Sequence, residues 1–344
     1  MPAPAESSVP GSQPDPATTR VGSANLCPGC QSARVRTICG GEDTLYRATE
    51  RSFLIVECAE CRMVRLYPRP TPEELRRYYP DLPLREPKYG LAGSLSRIVE
   101  RLQMAGNVRF VRNALKSVAW DGPVLDVGCG DGRFLRELNL PHDRIVGLDF
   151  SVDAASEAWG TNAVPAVCGA LPAAPFAPGV FAAITMFQVL EHLYDPLVYV
   201  QTAAQLLHPD GRLIIQVPNA GSWQFLIFGE RWSGLDIPRH LLLLREDDLI
   251  NLLDYCGFEV VHKRRICWKD DLPMFATSVA PSLNPELRWI RRTTESRVET
   301  VLKTAAFGLL CALAAPFAVV ESLCHAGATL TVEARLKHPA SAAI

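Results

Sequence analysis

The sequence of 344 residues has no excess of charge of either sign, with 35 basic side chains against 37 acidic ones. No basic field advertises a polyanion, so no nucleic-acid partner is expected. The longest apolar run, Thr304 to Val320, is broken by Pro316 and bounded by Lys303 and Glu321. It falls short of the ~20 residues that a bilayer requires. Residues 1–24 are rich in Pro, Ala, Ser and Gly and lack the apolar segment of a secretory leader, so they are expected to form a disordered tail. Cysteine is not scarce, at eleven residues, but only four of them pair up in sequence and the rest stand singly in apolar settings. That argues against a disulfide framework and for a reducing compartment. The expected location is cytoplasmic, with peripheral contact at the inner membrane face as a further option.

The most informative stretch is Val124 to Leu135. An apolar β-type run ends at Val127, glycines follow at 128, 130 and 132, and a helix then begins. Glycine permits positive φ and lets a bulky ligand lie against bare backbone. Asp126 sits at the end of the strand. About one strand later, the run Ile145 to Asp149 ends in a second acid, placed to grip a ribose diol. A nicotinamide-type fingerprint would read Gly-x-Gly-x-x-Gly without an acid two residues ahead.

The segment from Asp126 to Gly132 resembles motif I of class I S-adenosylmethionine (SAM) methyltransferases. The resemblance implies an α/β fold: a Rossmann-like, seven-stranded, doubly wound sheet. It also implies the cofactor contacts. Asp126, Gly128 and Gly130 would hold the amino-acid end, Asp149 the ribose hydroxyls, and Phe150 one face of adenine. Gly169, Ala170 and Gln188 complete the expected cofactor-binding set. Ala170 stands where this class often has an acid for the adenine amine, and Ala182 replaces the acid usual in the fourth strand. Alternating strand patterns at 123–127, 144–149, 164–168, 181–187, 211–217, 258–266 and 329–336 fit such a sheet. The SAM-binding core is expected over 121–270, with its last strand at 326–338.

Two further modules are expected. Cys27-Pro-Gly-Cys30 and Cys58-Ala-Glu-Cys61 bracket β-type segments. Two such knuckles can place four thiolates tetrahedrally around a structural Zn2+, leaving no open position for chemistry. A redox pair or plain buried thiols are the competing readings, and the repeated spacing favours metal. A zinc-ribbon-like module is thus expected over 25–70, followed by a helical linker and cofactor lid over 71–120, with Thr71 as N-cap and Pro72 at the first helical position. Residues 271–325 interrupt the usual hairpin of strands six and seven and are expected to form an apolar helical insertion. Arg288, Arg291, Arg292, Arg297 and Lys303 lie in or before its apolar run, so 286–322 could rest on an anionic membrane or be buried against protein.

Glu191-His192 closes an otherwise apolar segment after strand four, where a methyl acceptor would meet the sulfonium. An imidazole beside a carboxylate can take a proton from a hydroxyl or an acidic carbon. The dyad resembles the motif of sugar C-methyltransferases and polyprenyl-quinone methylases. Some ubiquinone O-methyltransferases and small-RNA 2′-O-methyltransferases have Glu-x-x-Glu-His here with a downstream His, and bind a divalent metal. In this chain Gln188, a poorer ligand, takes the first position and His240 supplies the downstream imidazole. Glu191, His192 and His240 are the expected catalytic residues, and a second divalent metal is a lesser expectation. Aromatic residues at 223, 225, 228 and 232 belong to a lid over 221–239, and Tyr78 and Tyr79 could reach the same pocket. The expected activity is methyl transfer to carbon or oxygen of a small-molecule acceptor: a sugar, a quinone or a lipid-linked metabolite. The alternative is a non-catalytic SAM-fold protein that docks a partner through its zinc module.

Overall fold

The computed structural model describes residues 18–22, 25–79 and 90–337. Seven strands form the main sheet: β5 (Val124–Val127), β6 (Ile145–Asp149), β7 (Ala166–Cys168), β8 (Phe181–Phe187), β9 (Leu207–Pro218), β11 (Phe258–Arg264) and β12 (Thr329–Leu336). Their order across the sheet is β11-β12-β9-β8-β5-β6-β7. The pairs among β5 to β9 are parallel, whereas β12 runs antiparallel to both β9 and β11. This is the doubly wound, Rossmann-like sheet that the glycine turn implies.

Period-two alternation divides the strand residues between two cores. Leu125, Ile184, Leu213 and Ile215 face α5 (Pro196–Leu206) and α7 (Glu246–Tyr255) through Val200, Ala203, Leu249 and Leu253. Val124, Ala183 and Ile214 face the other way, against Val111 and Ala114 of α2 (Gly90–Leu115), Leu135 of α3 (Arg133–Glu137) and Ala158 of α4 (Val152–Asn162). Helices on both faces bury β5 fully and β6 and β8 almost so, whereas the edge strand β7 stays partly exposed. Within α2, the side chains of residues 90–100, 102 and 103, Leu95, Ile98, Val99 and Leu102 among them, lie outside the described residues.

A second sheet carries the cysteines. It runs β1 (Thr18–Arg20), β2 (Arg34–Gly41), β3 (Phe53–Cys58), β4 (Val64–Tyr67) and β10 (Leu242–Leu243), in that order. Two of these strands lie outside the 25–70 expected for the module. Thr18–Arg20 falls in the segment assigned to a disordered tail, yet its backbone pairs with Arg34–Arg36. A short polar edge strand has no apolar alternation to announce it. The remainder of that tail, 1–17, lies outside the described residues. At the other edge, Leu242–Leu243 pairs with Val64–Arg65 across almost the whole catalytic core. The strand expected over 211–217 begins earlier: α5 ends at Leu206 and β9 starts with Leu207.

Between the sheets, α1 (Pro72–Arg77) is held by a capping box: Thr71 Oγ1 accepts the Glu74 amide and Glu74 returns the bond to the Thr71 amide. Residues 271–325 are helical, as α8 (Trp268–Val279), α9 (Pro285–Ile290) and α10 (Arg297–Leu323). The aromatic lid includes α6 (Trp223–Phe228). Its rings mostly pack: Phe225, Phe228 and buried Trp232 join Phe53, Ile55 and Leu66 of the second sheet in one core.

Candidate active site

The glycine turn leaves β5 at the C-terminal edge of the main sheet. Gly128 and Gly130 both hold positive φ, at 73° and 52°. A Cβ on Gly128 would strike Val189 at 2.7 Å, whereas one on Gly130 would meet nothing within 4 Å. Gly130 therefore presents bare backbone to open space, as a cofactor lying on the loop requires. The Asp149 carboxylate accepts the amides of Gly130 and Ser151, each at 2.9 Å, which fixes its rotamer at the strand tip. Phe150 beside it is 70% exposed and meets Tyr79 edge-on at 6.4 Å, so an aromatic face is free for a planar ligand. Gly169 donates its amide to the Asp149 carbonyl, and exposed Ala170 opens a short turn.

Asp126 is buried and bonded to Thr185 Oγ1 at 2.5 Å. Burial pushes its carboxyl up to about 7 despite that bond, and the nearby Asp149 adds to the effect while Lys269 opposes it. A cationic ligand group placed here would recover the carboxylate.

Glu191, His192 and His240 come together: ligand atoms of all three lie within 4.8 Å of one another. The imidazoles meet edge-on with ring centroids 4.6 Å apart. His192 Nδ1 lies 3.1 Å from the Arg239 carbonyl, and His240 Nδ1 lies 2.9 Å from the Gly234 carbonyl. A carbonyl only accepts, so these contacts favour a proton on Nδ1 and a lone pair on Nε2, while the Tyr79 hydroxyl also lies 3.1 Å from His192 Nδ1 and Asp236 Oδ2 lies 3.9 Å from His240 Nε2. Burial lowers His192 to about 3, with His240 adding to the shift, and burial lowers His240 as well. Both rings are neutral. The two oxygens of buried Glu191 have no hydrogen-bond partner among the described residues. Burial raises that carboxyl to about 8, helped by Asp236 and Asp270.

The N-terminal end of α8 also faces this cleft. Lys269 favours the charged form of Asp126, and Asp270 disfavours that of Glu191. Asp270 accepts a 2.7 Å bond from Gln216 on β9. Gln188 adopts a positive φ of 57° and donates its backbone amide to the Gln216 carbonyl. A glycine cradle with two acids, beside a neutral histidine pair, suits transfer of a group from a bound cofactor to a deprotonating acceptor.

A family model for the methyltransferase domain matches residues 76–263, more than half of the chain. The chain belongs to the methyltransferase domain family. A probable S-adenosylmethionine-dependent methyltransferase of Mycolicibacterium smegmatis is 30% identical over 143 residues, covering 40% of this chain and 52% of that protein. A ubiquinone biosynthesis O-methyltransferase of Pectobacterium carotovorum is 29% identical over 126 residues, covering 34% of this chain and 52% of the relative. This methyltransferase-family chain thus spans about half the length of these curated relatives. Geranyl diphosphate C-methyltransferase of Streptomyces coelicolor aligns over 68% of this chain and 76% of its own, with 14% identity and a TM-score of 0.45. Strand order and glycine loop together are those of the class I methyltransferases.

The four paired cysteines of the chain form a second cluster. Cys27 and Cys61 sulfurs lie 3.4 Å apart, and those of Cys30 and Cys58 3.5 Å. Sulfurs around zinc, with bonds of about 2.3 Å, sit roughly 3.8 Å apart, so the set fits a tetrahedral ion. Each knuckle closes identically: Gln31 and Arg62, one residue past the second cysteine, have φ of 59° and 65° and return their amides to Cys27 and Cys58. Sequence reasoning missed Asp43, Thr185, Asp236, Arg239, Lys269 and Asp270. For Asp236 and Arg239 the signal was present, as a charged pair inside the apolar lid. Asp43 and Thr185 carry no local signal.

Proposed function

We propose that this chain transfers the SAM methyl group to oxygen or carbon of a small-molecule acceptor, with Glu191, His192 and His240 managing the acceptor proton. The observation that carries this reading is the convergence of the two imidazoles on Glu191: each Nδ1 meets a backbone carbonyl, which favours the Nδ1–H tautomer and leaves an Nε2 lone pair to act as a base. When bound, SAM supplies an electrophilic methyl on a sulfonium. Asp126 and the Gly128–Gly130 backbone would hold its amino-acid end, Asp149 its ribose and Phe150 its adenine. His192 would accept the proton as the new bond forms, and Tyr79, with its hydroxyl 3.1 Å from His192 Nδ1, closes one wall. The name of the ubiquinone-pathway relative favours a quinone-like or lipid-linked acceptor. The test is SAM binding by calorimetry, then release of S-adenosylhomocysteine with candidate acceptors. His192→Ala and Glu191→Gln should bind SAM within about threefold of wild type, while His192→Ala loses roughly 10²–10⁴ in turnover. A wild-type chain that binds SAM and never turns over would favour the non-catalytic alternative.

The orphaned Glu191 oxygens support a second reading, in which a divalent cation sits between Glu191, His192 and His240. It would orient the acceptor oxygen and ease its deprotonation. Turnover lost to a mild chelator and restored by Mg2+ or Mn2+, with zinc content unchanged, would select it.

We also propose that α10 rests on a lipid surface. The helix has 27 residues and is long and apolar enough to cross a membrane. Ala314, Ala318 and Glu321 are buried on one side, while Val301, Leu302, Leu309, Leu313, Val320 and Leu323 are exposed. At 100° per residue the exposed set spans about a third of the circumference, on the side opposite the buried set. That is wider than the two-position seam of a helix pair, and suits an interface. Ile227 on α6 is also exposed, and one turn earlier Trp223 packs on Phe317, which extends the patch. Of the five basic residues, Arg288 and Lys303 pair with Glu295 and Arg291 donates to the Leu45 carbonyl, while Arg292 and Arg297 are exposed. Wild-type protein should co-sediment with phosphatidylcholine–phosphatidylglycerol vesicles, and the Leu309→Glu/Leu313→Glu double variant should stay in the supernatant. Equal sedimentation of both, or a wild-type dimer that leaves vesicles unbound, would overturn this.

A further inference from the structure

We propose that Arg239 is a positioning residue, clamped by Asp43 of the cysteine module, that sets the two histidines of the active site. The inference rests on the methyl-transfer reading for its kinetic part only.

The guanidinium is 1% exposed and every face of it is occupied. Its Nη1 donates to Asp43 Oδ2 at 3.2 Å and to the Tyr78 carbonyl at 3.1 Å. Nη2 donates to Asp43 Oδ1 at 2.9 Å, Asp236 Oδ1 at 2.7 Å and the Ile237 carbonyl at 3.1 Å. Nε donates to Asp236 Oδ1 at 2.9 Å. The Tyr46 ring lies against the guanidinium plane at 3.8 Å. A planar fork with five donors satisfies this set, and an ammonium cannot.

Each partner leads to an active-site group. Asp43 lies in the loop between β2 and β3, where it also accepts the amides of Tyr46 and Ala48, so it is rigid before it meets Arg239. The Arg239 carbonyl holds His192 Nδ1 at 3.1 Å. Asp236 has a strained φ of 34°, accepts the amides of Arg239 and His240 on its carbonyl, and points Oδ2 at His240 Nε2 from 3.9 Å. Tyr78 precedes Tyr79, whose hydroxyl meets His192. Directly after His240, Leu241 donates its amide to the Glu191 carbonyl at 2.8 Å and accepts the Leu66 amide, and β10 then joins β4. The cysteine module therefore functions as a wall of the catalytic site, and Arg239 is the joint through which it bears on His192 and His240.

Asp43→Asn keeps the shape of the joint and removes its charge, while Arg239→Lys keeps the charge and removes the fork. Both should retain zinc and bind SAM within about twofold of wild type, since Asp126 and Asp149 lie on the other sheet. Turnover at saturating acceptor should fall at least tenfold with little change in the acceptor KM. In imidazole 15N spectra the Nδ1–H tautomer signals of His192 and His240, assigned by His192→Gln and His240→Gln, should broaden or shift to mixed tautomers. Wild-type turnover in both variants together with unaltered tautomer signals would overturn the proposal. Should the wild type show no methyl transfer at all, the functional reading fails, yet the spectra still decide the joint: unaltered signals in both variants sink it.

Discussion

In the role proposed for it, Asp126 would serve binding at the expense of stability. Burial holds its carboxyl at about 7, well above the ordinary carboxylate range. Between the ordinary value and about 7 the folded chain binds more protons at this site than the unfolded chain does. Stability is therefore greatest at low pH and is lost as pH rises through that window. The cofactor's ammonium wants the opposite state, the carboxylate. SAM affinity should fall about tenfold per pH unit below ~7, as calorimetry between pH 5.5 and 8 would show. Asp126→Asn should flatten that dependence and weaken binding roughly 10–100-fold. The same variant should raise the melting temperature of the ligand-free protein at pH 8 by a few degrees. Gly130 belongs with it, because its missing side chain leaves the room the ligand needs.

Among the elements, α10 joins two environments. Its exposed stripe is apolar, yet its buried face carries Glu321, which accepts the backbone amide of Gln224 at 2.8 Å and so holds the start of α6. Burial raises the Glu321 carboxyl, with the Gln224 bonds opposing it. Glu321→Ala leaves a buried amide without its acceptor and should cost about 2 kcal/mol, read as a lower denaturation midpoint. Glu321→Gln should recover part of that. Deleting 286–322 would be a poor test of membrane contact, because it also removes Glu321 and the Arg291 bonds to the 44–45 loop. α8 shows another dual use: it packs against α10 while its first turn brings Lys269 and Asp270 to the cleft.

For the whole molecule, two sheets meet at the lid, and the site lies along their seam. The cofactor loop belongs to the seven-stranded sheet, whereas the residues after His240 complete the five-stranded one. On the reading that the four thiolates hold zinc, a strong chelator should loosen the cysteine module and abolish turnover while SAM affinity stays within a few fold. Amide exchange should accelerate across β2–β4 and residues 236–243 before it does in β5, β6 and β8.

The sequence alone determined the features whose partners lie within one strand–turn–helix or one knuckle. These are Gly128 and Gly130, the acids Asp126 and Asp149 at their strand ends, the Thr71 cap, and the two Cys-x-x-Cys pairs. It also placed Glu191-His192 after the fourth strand and His240 downstream, by resemblance. The tertiary structure decided which carbonyl meets Nδ1 of each histidine, Arg239 for His192 and Gly234 for His240. It decided too that Thr18–Arg20 is a strand and that the charge of Lys269 acts on Asp126. Asp43 and Arg239 stand 196 positions apart, and no periodicity or spacing connects them. A contact of that kind is set by how two sheets pack, and packing exists only once the chain has folded.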